Sequence, residues 1–173
     1  MKAMNYNPST IARIADIHSG IRVETSALAG ASYLLTGNTQ TNLFTVKGRI
    51  KVLHLYLEVL TALSNHACVV YFNCTFTSPV IAANAMCAAS ASIASAAQGQ
   101  RVWWVGGAVA TACVLTDGAG LSDINVTPQV VGGKDFVGSI GMLTATASIA
   151  SGTFMAVLHY VPMSDGAYAE ALL

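Results

Sequence analysis

Four cysteines (Cys68, Cys74, Cys87, Cys113) and four histidines (His18, His54, His66, His159) offer the most chemistry in this chain. A structural zinc site needs four nitrogen or sulfur ligands converging on one ion. His66, Cys68 and Cys74 share one parity, so a strand would present them on one face. At about 3.3 Å per residue, however, His66 and Cys74 lie about 26 Å apart. Only His66 and Cys68 are close, and no C-x-x-C pair completes a site. The expectation is therefore no metal, no cofactor, and four free thiols that behave as small hydrophobes. Nucleophilic catalysis fares no better. Gly138-Ser139-Ile140-Gly141 has the wrong spacing for a G-x-S-x-G elbow. His54 and His159 sit inside apolar runs, where a hydrogen-bonded core histidine is the expected finding. The eight acidic residues are scattered singly. Gly106-Gly107 and Gly118-Ala119-Gly120 read as turns and not as a phosphate loop. The chain does not read as an enzyme.

Three groups of residues have binding potential instead. Lys47, Arg49 and Lys51 alternate with Val46, Ile50 and Val52, which would put three cations on one strand face. They would meet an acidic partner or nucleic acid, or simply guard a solvated edge by charge. Arg101, Trp103 and Trp104 would stack on a sugar or anchor a protein interface, two roles that Trp serves equally well. Ile11, Ile14 and Ile17 recur at a spacing of three after the helix-start signal Asn7-Pro8-Ser9-Thr10, with Gly20 as a stop. A helix of about three turns is too short to stand alone. It docks on its own domain or grips a partner as an arm.

Composition favours association. Charged residues are 9% of the 173, hydrophobic residues 54%, and the formal net charge is zero. An average soluble domain has about 25% charged residues, and near-zero net charge promotes association. A bulk nucleic-acid binder would need a basic footprint that this chain lacks. The best membrane-span candidate, residues 79–97, is built of Ala and Ser with few large apolar side chains, short of the roughly 20 apolar residues a span requires. After Lys2 the N-terminus shows no apolar core of a signal peptide, which predicts assembly in a cytoplasm with reduced cysteines.

The elements that would carry these residues read as strands from Ile21 onward. Short strands are expected at Ser32–Leu35 and over residues 101–106, 108–116 and 124–131. Gly48 suggests a bend within the long run from Leu43 to Thr61. A helix competes over Val52–Leu63, but the alternation of charge with Val and Ile favours strand. Ala67–Thr77 is aromatic and β-branched. Residues 80–100 are small enough for a tight packing layer, for strands near a symmetry axis, or for a loose helix. Between Asp135 and Asp165 there is no charged residue. Phe136–Ile149 and Thr153–Pro162 are therefore expected as a buried hairpin whose cover comes from another copy of the chain. Eight or so strands at this spacing predict an all-β, jelly-roll-like β-sandwich over residues 31–173, preceded by an N-terminal helical arm over 1–30.

The stretch Gly152–Leu172, GTFMAVLHYVPMSDGAYAEAL, resembles the C-terminus of head decoration (cement) proteins of tailed bacteriophages. Gly152-Thr153, an alternating strand to Tyr160, then Pro162, Ser164, Gly166 and Ala167 carry the likeness, over roughly the last 30 residues. Met155 and His159 stand where more polar or basic residues are expected in that family. The resemblance implies a homotrimer on a capsid surface, contacting the major capsid protein partly through an N-terminal arm, without enzymatic activity. A head-fibre or tail module that recognises host-surface carbohydrate through Arg101, Trp103 and Trp104 is the alternative. A shell subunit in its own right is a third reading.

Overall fold

A computed structural model of the chain describes residues 20–35, 40–116 and 126–173. Twelve strands and one helical turn lie among them: β1 (Ile21–Glu24), β2 (Leu28–Ala29), α1 (Gly30–Tyr33), β3 (Gln40–Lys47), β4 (Ile50–Thr61), β5 (Cys68–Ser78), β6 (Val80–Ala85), β7 (Arg101–Trp104), β8 (Val114–Thr116), β9 (Gln129–Val131), β10 (Val137–Thr146), β11 (Thr153–Pro162) and β12 (Tyr168–Ala171). They form two antiparallel sheets. The larger runs β1-β11-β4-β7-β8, with β2 on β11 and β9 on β4; the smaller runs β12-β3-β10-β5-β6. The protein is an all-β sandwich.

Alternation decides which side chains face inward. In the larger sheet Leu55, Leu57 and Val59 of β4 stand opposite Leu158, Ala156 and Phe154 of β11. In the smaller sheet Phe72 and Cys74 of β5 stand opposite Met142 and Ile140 of β10. Trp104, Phe44, Phe72 and Phe154 are the largest fully buried side chains. Each such residue contributes roughly 1.5–3 kcal/mol by leaving water. β4 carries a bulge between Val52 and His54, so Val52 and Leu55 both point inward. That extra residue reverses the parity and turns His54, Tyr56 and Glu58 outward.

Gly48, with φ +75°, turns β3 into β4 and moves the chain from the smaller sheet to the larger. A Cβ there would lie 2.8 Å from the Ala167 Cβ. Lys47, Arg49 and Lys51 are consequently not three cations on one strand face: Lys47 closes β3, Arg49 lies in the turn, and Lys51 belongs to β4.

The closing pair also departs from expectation. β10 and β11 are not a hairpin. Each is an inner strand of a different sheet, β10 between β3 and β5 and β11 between β1 and β4. Each therefore covers the other's sheet across the core, and their buried faces need no second copy of the chain. The connection is held by Ile149, which is 1% exposed and whose N–H donates to the Leu34 carbonyl at 2.8 Å.

The sandwich begins earlier than residue 31, because β1 and β2 already pair with β11. Ser32–Leu35 falls in α1 and its C-terminal cap instead of a strand. Of residues 108–116 only the last three are strand. In the run 124–131 the described strand is β9, and the turn expected at Asp117–Gly120 lies outside the described residues.

After β6 the small-residue block forms neither helix nor strand. It is a strap along the side of the sandwich. Met86, Ser90 and Ile93 donate backbone N–H bonds to Phe72, Val70 and Cys68 of β5 at 2.8–2.9 Å, and Gly99 donates to Val59 of β4 at 2.8 Å. Ile93 and Ala96 insert into the core at 1% exposure each. Small side chains let this backbone lie close against two sheets, so their packing partners are within the chain.

Candidate functional site

The outer face of the larger sheet gathers the chemistry that the interior leaves out. Strand register sorts it into three rows. Arg22, His159 and His54 form one row across β1, β11 and β4. Glu24, Val157, Tyr56, Trp103 and Val114 form the next, ending on β7 and β8. Met155, Glu58, Arg101 and Thr116 form the third.

The middle of this face is aromatic. Tyr56 and Trp103 lie with ring centroids 4.3 Å apart, tilted by 37°. The Arg101 guanidinium lies 5.2 Å from the Tyr56 centroid and 6.0 Å from that of Trp103. Its Nε donates to Glu58 Oε2 at 3.0 Å. Arg101 is thus held by a carboxylate on one side and by ring quadrupoles on the other. Val157 beneath is fully buried and Tyr56 nearly so.

The two histidines oppose each other on neighbouring strands, with centroids 5.6 Å apart and planes at 82°. Trp103 meets His54 edge-on at 6.0 Å. Both imidazoles are half-buried, and His54 Nδ1 and His159 Nε2 are shielded from water without a hydrogen-bond partner. They are therefore not the hydrogen-bonded core histidines that their apolar surroundings suggest. Burial pushes the His159 pKa below its ordinary value, and repulsion from His54 and Arg22 adds to this against an opposing pull from Glu24. Glu24 is already ion-paired with Arg22. Both carboxylates of the face thus have cationic partners. Among the described residues no three His, Cys, Asp or Glu side chains gather as a metal site. The arrangement suits binding through flat rings and a fixed cation.

The residues singled out from sequence separate cleanly. Trp103 and Arg101 belong to this face, and Lys51 lies at its margin on β4 opposite Val130. Trp104 points the other way: it is fully buried, and its indole N–H donates to the Met86 carbonyl at 3.0 Å. Adjacent strand residues face opposite sides, so the two tryptophans cannot form one platform. Lys47 and Arg49 are exposed but belong to the other sheet and to the turn. Ile11, Ile14 and Ile17 lie outside the described residues. Sequence reasoning missed Tyr56, Glu58 and Val157 as members of the face. The only available signal was the aromatic and acidic alternation within β4, and the bulge obscures it.

The motif behind the C-terminal resemblance is a corner. Ser164 Oγ accepts the Arg49 N–H at 3.0 Å, Gly166 takes φ +69°, and the Tyr160 hydroxyl donates to the Ala169 carbonyl at 3.3 Å. These contacts carry the chain from β11 in one sheet to β12 in the other. Comparison with family models, with curated proteins and with solved structures found no match to this chain.

Proposed function

We propose that this chain is a virion structural protein: a capsid decoration protein that binds the major capsid protein lattice as a jelly-roll trimer and stabilises the head. Strand order is the observation that carries the reading. Consecutive strands β3, β4 and β5 alternate between sheets, β6 stays beside β5, and β7, β10 and β11 alternate again. Omitting the short additions, one sheet orders β1-β11-β4-β7 and the other β3-β10-β5-β6. First beside last and second beside next-to-last supports reading the sandwich as an eight-stranded double-sheet jelly roll, an architecture common in viral capsids and lectins. The C-terminal resemblance to decoration proteins and the sparse charge point the same way.

Self-association through the outer face of the larger sheet fits its chemistry. Trp, Tyr and Arg are the residue types that anchor interfaces. Arg22–Glu24 and Arg101–Glu58 neutralise one another within the chain, so the aromatic centre of an identical face meets no net charge. Val114 and Val130, both exposed, border it. Closed cyclic symmetry would hide such faces without leaving sticky ends. The part of the chain before β1 is proposed as the arm that reaches the capsid protein.

The second reading, a fibre or tail module for host-surface carbohydrate, is favoured by one observation: Arg101 beside the Tyr56 and Trp103 rings. Copy number per particle separates the two. Quantitative mass spectrometry of purified virions should find hundreds of copies; a handful would overturn the decoration reading in favour of the fibre. Deleting residues 1–19 should leave a folded sandwich that no longer decorates particles. Wild-type occupancy by the truncated protein would remove the arm from the proposal.

A further inference from the structure

Cys87 and Cys113 are distant in sequence, yet their sulfurs lie 3.1 Å apart, closer than two sulfurs in ordinary van der Waals contact. Both are 3% exposed. The backbone around them is tied together. Ala88 donates to the Thr111 carbonyl at 2.9 Å, Cys113 donates to the Ala88 carbonyl at 3.3 Å, and Ala88 and Ala112 form a parallel bridge. Cys87 follows β6 of the smaller sheet and Cys113 precedes β8 of the larger. A bond between them would be a covalent staple across the sandwich.

We infer that Cys87 and Cys113 are a redox modification site, which a peroxide converts into an inter-sheet disulfide. A disulfide has its sulfurs about 2.05 Å apart, so the pair must close by about 1 Å, which side-chain rotation can supply. The two sulfurs have unequal roles. The Phe72 N–H donates to Cys87 Sγ at 3.2 Å, and the two thiols share a hydrogen bond that either can donate. Sharing with Cys113, helped by the Phe72 N–H, holds the Cys87 pKa below its ordinary value against the opposing effect of burial, whereas Cys113 is raised by the same sharing and by burial. The other two cysteines are poor competitors: burial pushes Cys68 up to about 11 and raises Cys74 as well.

The chemistry balances as follows. The Cys87 thiolate attacks one peroxide oxygen, the O–O bond breaks, and hydroxide leaves to become water on protonation. Cys87 is then a sulfenic acid. The Cys113 sulfur attacks that sulfur and gives up its proton, the S–S bond forms, and the S–O bond breaks to release a second water. Two electrons pass from the two sulfurs to the peroxide.

The test is to treat the native full-length protein with hydrogen peroxide and determine its intact mass and thiol count in denaturant. The untreated, reduced chain should titrate four thiols. After treatment the mass should fall by two hydrogens, two thiols should remain, and peptide mapping should join Cys87 to Cys113. Four surviving thiols, thiol loss at Cys68 or Cys74, or retained oxygen on Cys87 would each overturn the inference. Cys113→Ala should abolish the loss of two hydrogens; its persistence in that variant would also overturn it. The stapled form should melt higher by roughly 5–10 °C, from the restricted unfolded chain. An equal or lower melting temperature would overturn the staple.

Discussion

The two outer faces of the sandwich are built from different chemistry. On the smaller sheet the central strands offer amides and hydroxyls. Gln40 Nε2 donates to Asn42 Oδ1 at 2.6 Å and to Thr75 Oγ1 at 3.1 Å. Asn73 Nδ2 donates to Gln40 Oε1 at 2.8 Å, and Ser139 Oγ donates to Asn42 Oδ1 at 3.1 Å. This net bonds mainly to itself. On the larger sheet the equivalent positions hold rings, two histidines and paired ions around a buried valine. A polar face most of whose groups already have partners, buried Asn73 Oδ1 excepted, gains little from a protein that covers it. A face with aromatic area and a pre-oriented Arg gains much more. Sparse charge therefore means different things on the two sides: local satisfaction on one, and capacity for association on the other.

The contrast breaks most sharply with a buried charge. Val157 is fully buried although it lies on an outer face. Val157→Asp should cost about 3–5 kcal/mol, because the carboxylate loses water and gains no dedicated partner. Ser139→Asp, on the opposite face and half-buried beside Asn42, should cost about 1 kcal/mol or less. Urea denaturation of the two variants measures the difference, and equal losses would mean that both faces are packed alike.

Trp103→Ala is the next largest effect. Light scattering should find wild-type protein at three times the 17.9 kDa chain mass. The substitution should weaken association by about 2 kcal/mol, roughly 30-fold in the dissociation constant. Asn42→Ala should leave the assembly mass unchanged. A stable wild-type monomer at micromolar concentration, or loss of assembly in Asn42→Ala alone, would reverse the assignment of the two faces.

Gly141→Ala sharpens the other side. A Cβ at Gly141 would lie 2.7 Å from the Thr41 carbonyl oxygen, 3.1 Å from Asn73 Oδ1 and 3.2 Å from Asn42 Oδ1. The backbone oxygen cannot swing away as a side chain would. The change should cost about 1–3 kcal/mol by overpacking while leaving self-association intact. Thermal melting together with light scattering reads both quantities.

The β-rich class was legible in the sequence because β3, β4 and β5 alternate strongly or are rich in aromatic and β-branched residues. The pairing of β10 and β11 was not. Each is uncharged and mostly apolar on both faces, and such a strand shows little periodicity to say whether it pairs with its chain neighbour or crosses to the other sheet. The six residues from Ala147 to Gly152 look like a hairpin turn but span the edge of the sandwich. The candidate face was half legible. Trp103 and Arg101 are conspicuous by type, but Trp104 beside them is a core residue, and only a strand assignment separates the two. His54 meets His159, and Cys87 meets Cys113, through tertiary register that local spacing cannot encode. The bulge in β4 hid the rest by reversing parity within one strand.

The smallest expected effect concerns pH, and it too separates the faces. His159 faces His54 on β4 and Arg22 and Glu24 on β1. Its folded pKa lies below the ordinary value, chiefly through burial. The unfolded chain therefore takes up a proton before the folded one does as the solution is acidified. The stability contributed by neutral His159 is fully present above the unfolded value of about 6.5 and is lost as pH falls through the folded pKa. One such group changes stability by at most about 1.4 kcal/mol per pH unit. Urea midpoints measured from pH 7.5 down to pH 5 should fall for the wild type and fall less steeply for His159→Gln. The paired Gln40, Asn42 and Asn73 do not titrate in this range, so substitutions there should leave the slope unchanged. A His159→Gln slope as steep as the wild type would assign the acid sensitivity to another group and remove His159 titration from the account of this face.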